Sequence, residues 1–494
     1  MSDSAPEIIL SGEFELLYIA AAIQILIWEV YMEVTMTKGN PFPIILKFMI
    51  PLFIGNVFQQ LYNMADTIIV GRYVSADALA AVGATGNIMF LVLGFSQGLC
   101  TGFTVLTSQA YGAQNYRRVK RSVANGILLA LIVIVIVTIL SVSLMNPLLH
   151  LMNTPANIFH DSLTYITIIC LGTVASVYYN LFSAFIRSIG NSRVPLYFLL
   201  FSASLNVGLD LLFIIVGKMG VAGAAWATNL SQGISAILCL LYIHSKAKVL
   251  WPDRSDWHIS KTDTQHQMAV GVPMALQFGI TASGTMVMQS AINLFGSTAV
   301  AAYTAANKLH SLMIQEMLAT GQAVATYCGQ NYGSGDSDRI NKGVRAAIII
   351  EVTYAIIAAL LCNALLRPVI SLFFAGSGDA AAAQDAVESL DTISLMMPWS
   401  STYIHIVTLF YIPLSFIFIF RNAMQGCGHG FLPMMGGVVE FFARLIVALI
   451  AMHIMSFPLA VFCDPAAWIA AGTFTAVSYT FVIKRVRKEL KRFH

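Results

Sequence analysis

Two aspartates in the first half of the chain, Asp66 and Asp210, stand inside otherwise apolar stretches. An ionisable side chain is costly there and usually marks a function or an internal pair. Asn206 precedes Asp210 by one helical turn, and Thr228 lies in the next apolar stretch. Carboxylate, amide and hydroxyl oxygens are hard ligands that suit Na⁺, and a close carboxylate pair in a low dielectric equally suits a bound proton. These residue types indicate a site for a small cation.

The elements that carry these residues are predicted to be membrane helices. The chain has 494 residues, of which 57% are hydrophobic and 10% charged, and its mean hydropathy is +0.76. Soluble domains carry about 25% charged residues. The apolar residues come in runs long enough for the roughly 20 residues that span a bilayer as a helix. The composition therefore predicts an all-α integral membrane protein.

Breaks at glycine, proline and charged residues divide the chain into twelve predicted transmembrane spans, six in each half. The first half has spans at about 44–71, 78–110, 121–147, 159–186, 194–217 and 220–243, and the second at about 268–295, 299–332, 343–375, 390–420, 431–456 and 460–483. These spans define a first lobe at residues 37–243, a polar cytoplasmic linker at 244–267, and a second lobe with a basic cytoplasmic tail at 268–494.

The distribution of positive charge predicts the orientation of these spans. Cytoplasmic loops of membrane proteins are enriched in Lys and Arg. If the N-terminus is cytoplasmic, 22 of the 27 Lys and Arg residues fall in cytoplasmic segments and 3 fall in outside loops. We therefore expect a multi-pass protein of the cell membrane with both termini in the cytoplasm.

The two halves repeat one another at a shift of 221 residues. Residues 78–81 (ALAA) match residues 299–302 (AVAA), and residues 109–112 (QAYG) match residues 330–333 (QNYG). An even number of spans in each half makes the repeat parallel, so the halves are related by an axis along the membrane normal. Two pseudo-symmetric six-helix lobes with a shared cleft are the expected fold.

The spans place the candidate ligands at one depth. Asp66 and Asp210 lie 5 and 7 residues before the outer ends of spans 1 and 5, and Thr228 lies 8 residues into span 6. At 1.5 Å per residue, all three lie roughly 8–12 Å from the outer helix ends. The alternative is that neither acid binds an ion. In that case Asp66 is a helix-end residue at the membrane interface, and Asp210 is hydrogen-bonded to groups nearby. Depth alone leaves both interpretations open.

The second half carries other ionisable residues in or near its spans: Lys308, Glu316, Glu351, Glu440 and Arg444. Glu440 and Arg444 are spaced i, i+4, which favours a structural ion pair. Lys308 has two interpretations, because it would either line the cleft or pair with an acid such as Glu351.

Four side chains within the spans are candidates for the substrate cleft: Gln59, Gln277, Met286 and Lys308. For each of the two glutamines, ordinary packing or a hydrogen bond between helices is the alternative role. An apolar cleft with few fixed polar groups would tolerate many ligands.

No pattern typical of an enzyme is present, because the sequence lacks GxSxG, HExxH and Walker motifs. The seven cysteines stand singly and mostly in apolar stretches, so we expect packing residues, neither disulfides nor metal ligands. We expect no cofactor, no nucleic-acid partner, and no metal other than Na⁺ at the cation site. Energy must come from an ion gradient or from the substrate's own gradient.

Residues 1–36 have two interpretations. They are either a dispensable extension, with Met36 as the true start, or an amphipathic helix at the membrane interface. A thirteenth span is disfavoured, because it would put the two termini on opposite sides of the membrane.

Four short segments carry a family resemblance. They are residues 65–71 (ADTIIVG), 78–83 (ALAAVG), 205–210 (LNVGLD) and 220–228 (GVAGAAWAT). Their order and spacing resemble the first, fifth and sixth helices of the multidrug and toxic compound extrusion (MATE) family. The resemblance covers about residues 37–490.

This resemblance implies two six-helix bundles around a V-shaped cleft. It also implies a secondary antiporter, able to work as a monomer, that exports small organic and often cationic compounds in exchange for Na⁺ or H⁺ by alternating access. The family's cation site falls on Asp66, Asn206, Asp210 and Thr228, with Asn180 on span 4 as a further match nearer the inner side. Some members use acids on helices 7 and 10 instead, but span 7 contains no Asp or Glu.

Other functions fit the same sequence less well. A flippase for a lipid-linked precursor shares the two-lobed architecture, but its cleft would carry several cationic residues for a pyrophosphate, and here mainly Lys308 is available. A channel is less consistent with an internal repeat and paired buried acids. A membrane-embedded enzyme would need a catalytic set that the sequence does not contain.

Overall fold

The fold is taken from a computed structural model that describes residues 35–152, 154–374 and 384–491. Within these ranges the chain forms helices and connecting turns, without a β-strand. The two interpretations of residues 1–36 fall almost entirely outside the described residues. The first part of the loop before span 10 also lies outside them.

The described residues form six helices in each half of the chain, in the predicted order. In the first half they are α1 (Pro41–Tyr73), α2 (Ala76–Gly112), α3 (Tyr116–Leu151), α4 (Ala156–Leu171 and Thr173–Ser188), α5 (Arg193–Leu211, continued by the π-helical turn Leu212–Val216) and α6 (Gly220–Ser245). In the second half they are α7 (Lys261–Asn293), α8 (Ser297–Gly333), α9 (Ser337–Phe374), α10 (Gln384–Thr408 and Tyr411–Gly426), α11 (Phe431–Ile454) and α12 (Phe457–Val461 and Cys463–Leu490). Two 3₁₀ turns, Lys248–Leu250 and Arg254–Asp256, lie in the linker.

The linker is shorter than the sequence predicts, because α7 begins at Lys261 within the predicted range 244–267. Ser260 caps the helix, and its hydroxyl accepts a hydrogen bond from the Asp263 amide. The Asn125 side chain accepts from the Ser260 amide at 2.9 Å and so ties this start to α3. A polar helix start outside the membrane has no hydropathy signal, which explains the missed boundary.

Nine of the described helices are long and apolar enough to cross a membrane, and the count is eleven if each bent pair is one span. α8 does not meet this test, since polar side chains such as Lys308, His310 and Glu316 follow it along its length. More than half of its 37 residues are buried. A helix too polar to face lipid is covered by its neighbours, and α8 packs against five other helices, including α1, α2, α9 and α10.

Two helices that occupy equivalent places in the two lobes are bent in the middle. The two segments of α4 meet at 46° and those of α10 at 49°. In α4 the bend lies at Gly172, where a Cβ atom would come within 1.9 Å of the Asn229 side chain. Asn229 donates to the Ile168 carbonyl at 2.7 Å and satisfies the backbone at the break. The sequence predicted each of these helices as one uninterrupted span.

The two lobes meet where the repeated Gln-x-Tyr-Gly motif ends α2 and α8. A Cβ atom on Gly112 would lie 1.9 Å from the Gln330 carbonyl oxygen, and one on Gly333 would lie 1.8 Å from the Gln109 carbonyl oxygen. Each contact is the counterpart of the other across the repeat. Glycine alone allows the backbones of two membrane helices to approach this closely.

The glutamines of this motif bond across the same boundary. Gln109 Nε2 donates to the Gly426 carbonyl at 2.9 Å, and Gln330 Nε2 donates to the Ser188 carbonyl at 2.8 Å. Ser188 and Gly426 are the last residues of α4 and α10. The motif of each lobe therefore bonds to the end of the same bent helix in the other lobe, α10 or α4. This symmetry is expected for a twofold axis between the motifs.

Close packing between the lobes continues along part of α2 and α7. A Cβ atom on Gly102 would lie 2.3 Å from Gly271, and one on Gly98 would lie 2.8 Å from Ala275. Near the start of α2, a Cβ atom on Gly83 would meet nothing within 4 Å. The lobes are thus closed together at the end of the molecule where the linker and the last residues of α12 lie.

α1 belongs to the first lobe by sequence, but its first half packs into the second. Phe48 and Leu52 share a hydrophobic cluster with Val324 and Tyr327 of α8. Later in the helix, a Cβ atom on Gly55 would touch the leucine side chains of α5 at 3.4–3.5 Å. One helix therefore contacts both lobes along its length.

The segment before α1 is also held by the second lobe. Asn331 Nδ2 donates to the Met36 carbonyl at 3.1 Å. The Arg339 guanidinium donates to the carbonyls of Met36 and Gly39, at 3.0 and 2.8 Å. Met36 is buried at 1% exposure, so this segment is part of the packed structure.

The expected ion pair on α11 is confirmed, and it has a third member. Arg444 Nη2 lies 2.8 Å from Glu440 Oε1, and Arg444 Nε lies 2.7 Å from Asp464 Oδ1 at the start of the long segment of α12. All three side chains are buried. Asp464 is 20 residues away in sequence, and spacing within one helix cannot reveal it.

The seven cysteines are all buried and have free thiols. Three of them make weak hydrogen bonds between helices: Cys100 Sγ to the Val177 carbonyl at 3.7 Å, Cys239 Sγ with Ser183 Oγ at 3.6 Å, and Cys362 Sγ with the Tyr411 hydroxyl at 3.4 Å. Their surroundings are those of small packing residues.

We expect Gly112→Ala to separate the lobes at their closed end, because the new methyl group would overlap the Gln330 carbonyl. Overpacking costs about 1–3 kcal/mol. This energy lowers the population with the lobes in contact roughly 5- to 150-fold relative to conformations with the lobes apart. The measurement is the cross-linking yield between cysteines introduced at Ser108 and Gly329, in a background without the native cysteines. A Cβ atom at 329 would lie 3.1 Å from Ser108 Cβ.

The control for this variant is Gly83→Ala on the same helix, where the added methyl group meets open space. It should cross-link as well as the parent. Equal yields from Gly112→Ala and Gly83→Ala would show that the glycine contact does not hold the lobes together.

Arg444→Ala should destabilise the protein strongly, because it leaves two acids buried without their cation. Breaking a buried ion pair from one side costs about 3–5 kcal/mol. The measurement is the apparent Tm of the purified protein in detergent. Arg485→Ala serves as the control, since its pair with Glu489 is exposed and such pairs contribute about 0–1 kcal/mol. Equal Tm changes in the two variants would contradict a structural role for the triad.

Candidate functional site

The four predicted ligands come together in the first lobe where α1, α5 and α6 pack. Asp66 is 8% exposed, Asn206 1% and Asp210 0%, and Thr228 is half-buried. The carboxyl groups of Asp66 and Asp210 lie within hydrogen-bonding reach of one another. Asn206 Nδ2 makes a long hydrogen bond of 3.5 Å to Thr228 Oγ1, and Asn206 lies one turn from Asp210 on α5.

Several oxygen atoms of this site have no hydrogen-bond donor among the described residues. Asp66 Oδ1, both carboxylate oxygens of Asp210 and Asn206 Oδ1 are buried and accept no hydrogen bond. Buried polar atoms almost always have a partner, and unpaired buried carboxylates are especially unfavourable. Four such oxygen atoms in one site are free to accept a hydrogen bond, a shared proton or a small cation.

The arrangement can bind one small cation. Carboxylate, amide and hydroxyl oxygens match the preference of Na⁺ for hard ligands. A proton held between the two carboxylates would also remove their mutual repulsion. The structural alternative fits this geometry poorly, because Asp66 is buried seven residues before the end of α1 at Tyr73 and Asp210 accepts no local hydrogen bond.

Two tyrosines next to the acids were missed by sequence reasoning. Tyr62 and Tyr165 both lie close enough to Asp66 and Asp210 to interact with their charges. Tyr62 precedes Asp66 by four residues and so shares its face of α1, a signal that the sequence contains. Tyr165 comes from α4, and only the folded chain reveals its position.

Asn180 makes no contact with either aspartate among the contacts of the described residues. Its amide donates to the Ser176 carbonyl at 2.8 Å, one turn earlier on α4. The Ser176 hydroxyl hydrogen-bonds to Gln232 of α6, and Gln232 in turn lies beside Tyr62. The structure thus places Asn180 at the far end of a polar chain that leads to the acids.

A π-helical turn begins two residues after Asp210. It spans Leu212–Val216, and the Gly217 amide donates to the Leu212 carbonyl at 2.9 Å. π-turns inside α-helices are rare and occur frequently at functional sites. The five residues are all apolar, so their types gave no sign of the change in helix geometry.

The four cleft candidates have different environments. Gln59 and Lys308 are exposed, and Met286 is 47% exposed. Gln277 is buried. With its amide in the orientation that suits its neighbours, its oxygen accepts a hydrogen bond from the Arg421 guanidinium at 3.1 Å, and its nitrogen lies 3.2 Å from the Gln425 amide. It therefore joins α7 to α10 within the second lobe. This is the hydrogen bond between helices that was expected as the alternative to a place in the cleft. Gln277 does not line an open cleft in this conformation.

The second interpretation of Lys308, a pair with Glu351, is wrong for this structure. Lys308 is exposed. Both carboxylate oxygens of Glu351 are buried and accept no hydrogen bond from the described residues. The remaining interpretation is a position on an open surface such as the cleft.

Comparison with known proteins agrees with the fold. The sequence profile of the MatE family matches residues 51–212 and 273–450, which include most of both lobes. Two similar proteins of Bacillus subtilis strain 168 are both named probable multidrug resistance proteins. YoeA is 28% identical over 334 residues, 66% of this chain and 72% of its own length. YpnP is 31% identical over 313 residues, 62% of this chain and 68% of its own.

The fold is also that of solved MATE structures. The crystal structure of a MATE protein in complex with MaL6 superposes with a TM-score of 0.82, at 20% sequence identity, over 92% of this chain and 99% of that one. That fold has twelve helices in two lobes, which confirms the predicted architecture. The profile match extends over more than half of the chain, so this protein belongs to the MatE family and is a multi-pass membrane transporter of the MATE type, not an enzyme.

Proposed function

We propose that the protein is a secondary antiporter that exports organic, mainly cationic, compounds in exchange for Na⁺ or H⁺. The observation that supports it most directly is the set of unpartnered buried oxygens on Asp66, Asn206 and Asp210. The site would bind the coupling ion and needs no other cofactor. The names of the Bacillus subtilis relatives support toxic organic compounds as substrates.

α1 would transmit ion binding from this site to the lobes. Asp66 lies in its second half beside α5, whereas its first half packs on α8 and α9 of the second lobe. A cation between Asp66 and Asp210 draws the second half of α1 towards α5, because it removes the repulsion between the two carboxylates. Pro51 lies between the two halves and lacks the amide proton for a helix hydrogen bond, which makes it a suitable hinge.

Alternating access would follow from this movement. With both termini in the cytoplasm, the contact between the Gln-x-Tyr-Gly motifs closes the cytoplasmic side, and the conformation described here faces outwards. Ion uptake from outside shifts α1 and favours release of the substrate. The inward-facing state then loses the ion and loads the next substrate. A single two-lobed chain contains all these parts, so a monomer suffices.

The flippase alternative is less well supported. A pyrophosphate-bearing lipid would require several exposed cationic side chains in the cleft, and Lys308 is the one cleft candidate that is both exposed and charged. The relatives are named for drug resistance. We propose that Gln59, Met286 and Lys308 line the substrate cleft, where the flexible methionine side chain suits varied ligands.

Asp66→Asn and Asp210→Asn should each abolish gradient-driven efflux, because each removes a carboxylate that the coupling ion needs. The measurement is efflux of a fluorescent cationic dye from cells without their own exporters, under an imposed Na⁺ or H⁺ gradient. We expect at least about a tenfold lower rate, equivalent to 1.4 kcal/mol.

Asp77→Asn is the matched control, since Asp77 is exposed at the start of α2 and bonds to Asn157 at the surface. It should export dye like the parent. Full efflux by Asp66→Asn would contradict the coupling site, whereas a well-expressed parent that exports no dye would contradict the proposed substrate class.

The proposed orientation predicts which introduced cysteines react from outside. Met219 lies exposed in the turn between α5 and α6, and Lys491 follows α12 at the opposite end. In intact cells a membrane-impermeant maleimide should label Met219→Cys and not Lys491→Cys, because the native thiols are buried. Permeabilised cells should show labelling of both, and the reverse pattern in intact cells would overturn cytoplasmic termini.

A further inference from the structure

A second pair of buried acids lies in the second lobe, away from the site on α1, α5 and α6. Glu316 of α8 is 3% exposed, and Glu351 of α9 is fully buried. The two helices pack against one another, and the two carboxyl groups are close enough for their charges to repel each other. The MATE transporter architecture alone gives this pair no role.

Two hydroxyl groups complete the surroundings of the pair. Thr320 Oγ1 donates to Glu316 Oε1 at 2.9 Å. Thr320 of α8 and Ser415 of α10 both lie beside Glu351, and both are fully buried. Ser415 donates its own proton to a backbone carbonyl one turn earlier at 2.9 Å, so the lone pairs of its oxygen can face a cation.

Three of the four carboxylate oxygens have no donor among the described residues. They are Glu316 Oε2 and both oxygens of Glu351. A buried carboxylate without a donor is much less stable than one in water, and two of them side by side also repel each other. A bound cation or proton would remove this repulsion.

The charged and titratable side chains around the pair do not supply a positive charge. The Tyr354 hydroxyl donates to a backbone carbonyl of α8 at 2.9 Å. His310 shares a hydrogen bond of 2.9 Å with the Tyr411 hydroxyl. Lys308 and Arg345, on the same two helices as the acids, are exposed. Within the described part of the chain, the polar side chains shown beside the pair are those of Thr320, Ser415 and Tyr354, which all carry hydroxyl groups.

We propose that Glu316 and Glu351 form a second cation site, with the hydroxyl oxygens of Thr320 and Ser415, that binds one Na⁺ or one proton. All four side chains offer hard oxygen ligands of the kind that Na⁺ prefers. A proton bound by either carboxyl group would remove the repulsion between them. This inference rests on the contacts of the pair and does not depend on what the protein exports.

The second site lies beside the helix that carries the first. Asn56 Nδ2 of α1 donates at 3.2 Å to the carbonyl of Gln315, the residue before Glu316. Asn56 precedes Asp66 by ten residues, about 15 Å along the helix axis. Ion binding at either site would therefore act on α1, from the first lobe or from the second.

The test uses the purified Asp66→Asn/Asp210→Asn double variant, in which the first site is removed. Its Tm is measured as NaCl replaces choline chloride at fixed pH, and as pH is lowered in choline chloride alone. A bound Na⁺ raises the Tm saturably, because it binds the folded state only. A bound proton raises the Tm as the pH falls, because the folded protein takes up a proton that the unfolded chain does not hold.

Adding Glu351→Gln to this background should abolish the response, and Glu316→Gln should do the same independently. Glu489→Gln, at the end of α12, is the matched control and should keep it. A response to Na⁺ identifies the ligand as Na⁺, and a response to pH alone identifies a proton. The proposal is overturned if the Asp66→Asn/Asp210→Asn variant responds to neither, or if its response survives both glutamine substitutions. Neither result depends on whether the dye-efflux test succeeds.

Discussion

The architecture depends on the backbone contact between the two Gln-x-Tyr-Gly motifs. Helices in lipid gain little from the hydrophobic effect when they associate, so close packing and hydrogen bonds must hold them. Gly112 and Gly333 allow α2 and α8 to touch at the backbone, and Gln109 and Gln330 bond across the boundary. The position of α1, which carries Asp66 and lies beside Gln315 next to Glu316, is set relative to this contact.

The buried acids of this protein fall into two kinds, those paired with a buried arginine and those without such a partner among the described residues. Glu440 and Asp464 share one arginine, which is attached to the chain and cannot leave. The pairs Asp66/Asp210 and Glu316/Glu351 have no such partner among the described residues. A permanent counter-charge makes a structural element, whereas a carboxyl pair without one is available to an ion that binds reversibly, as we propose for both pairs.

The fold was largely predictable from the sequence, because hydropathy and the internal repeat are local signals. The grouping of Asp66, Asp210 and Asn206 with Thr228 was also predictable, since residues can be counted along a helix. Features that depend on contacts between helices were not. The bend at Gly172 follows from a contact with α6, and the approach of Glu316 to Glu351 depends on how α8 and α9 are aligned. Gln277 was misplaced for the same reason.

The dual attachment of α1 has a consequence for biosynthesis. Phe48 and Leu52 are translated early, but the α8 and α9 residues that cover them follow some 270 to 300 positions later. Until then, the apolar face of α1 that packs on α8 and α9 has no partner. The halves of this repeat are therefore not separate folding units, because α1 is covered only by contacts of very long sequence separation.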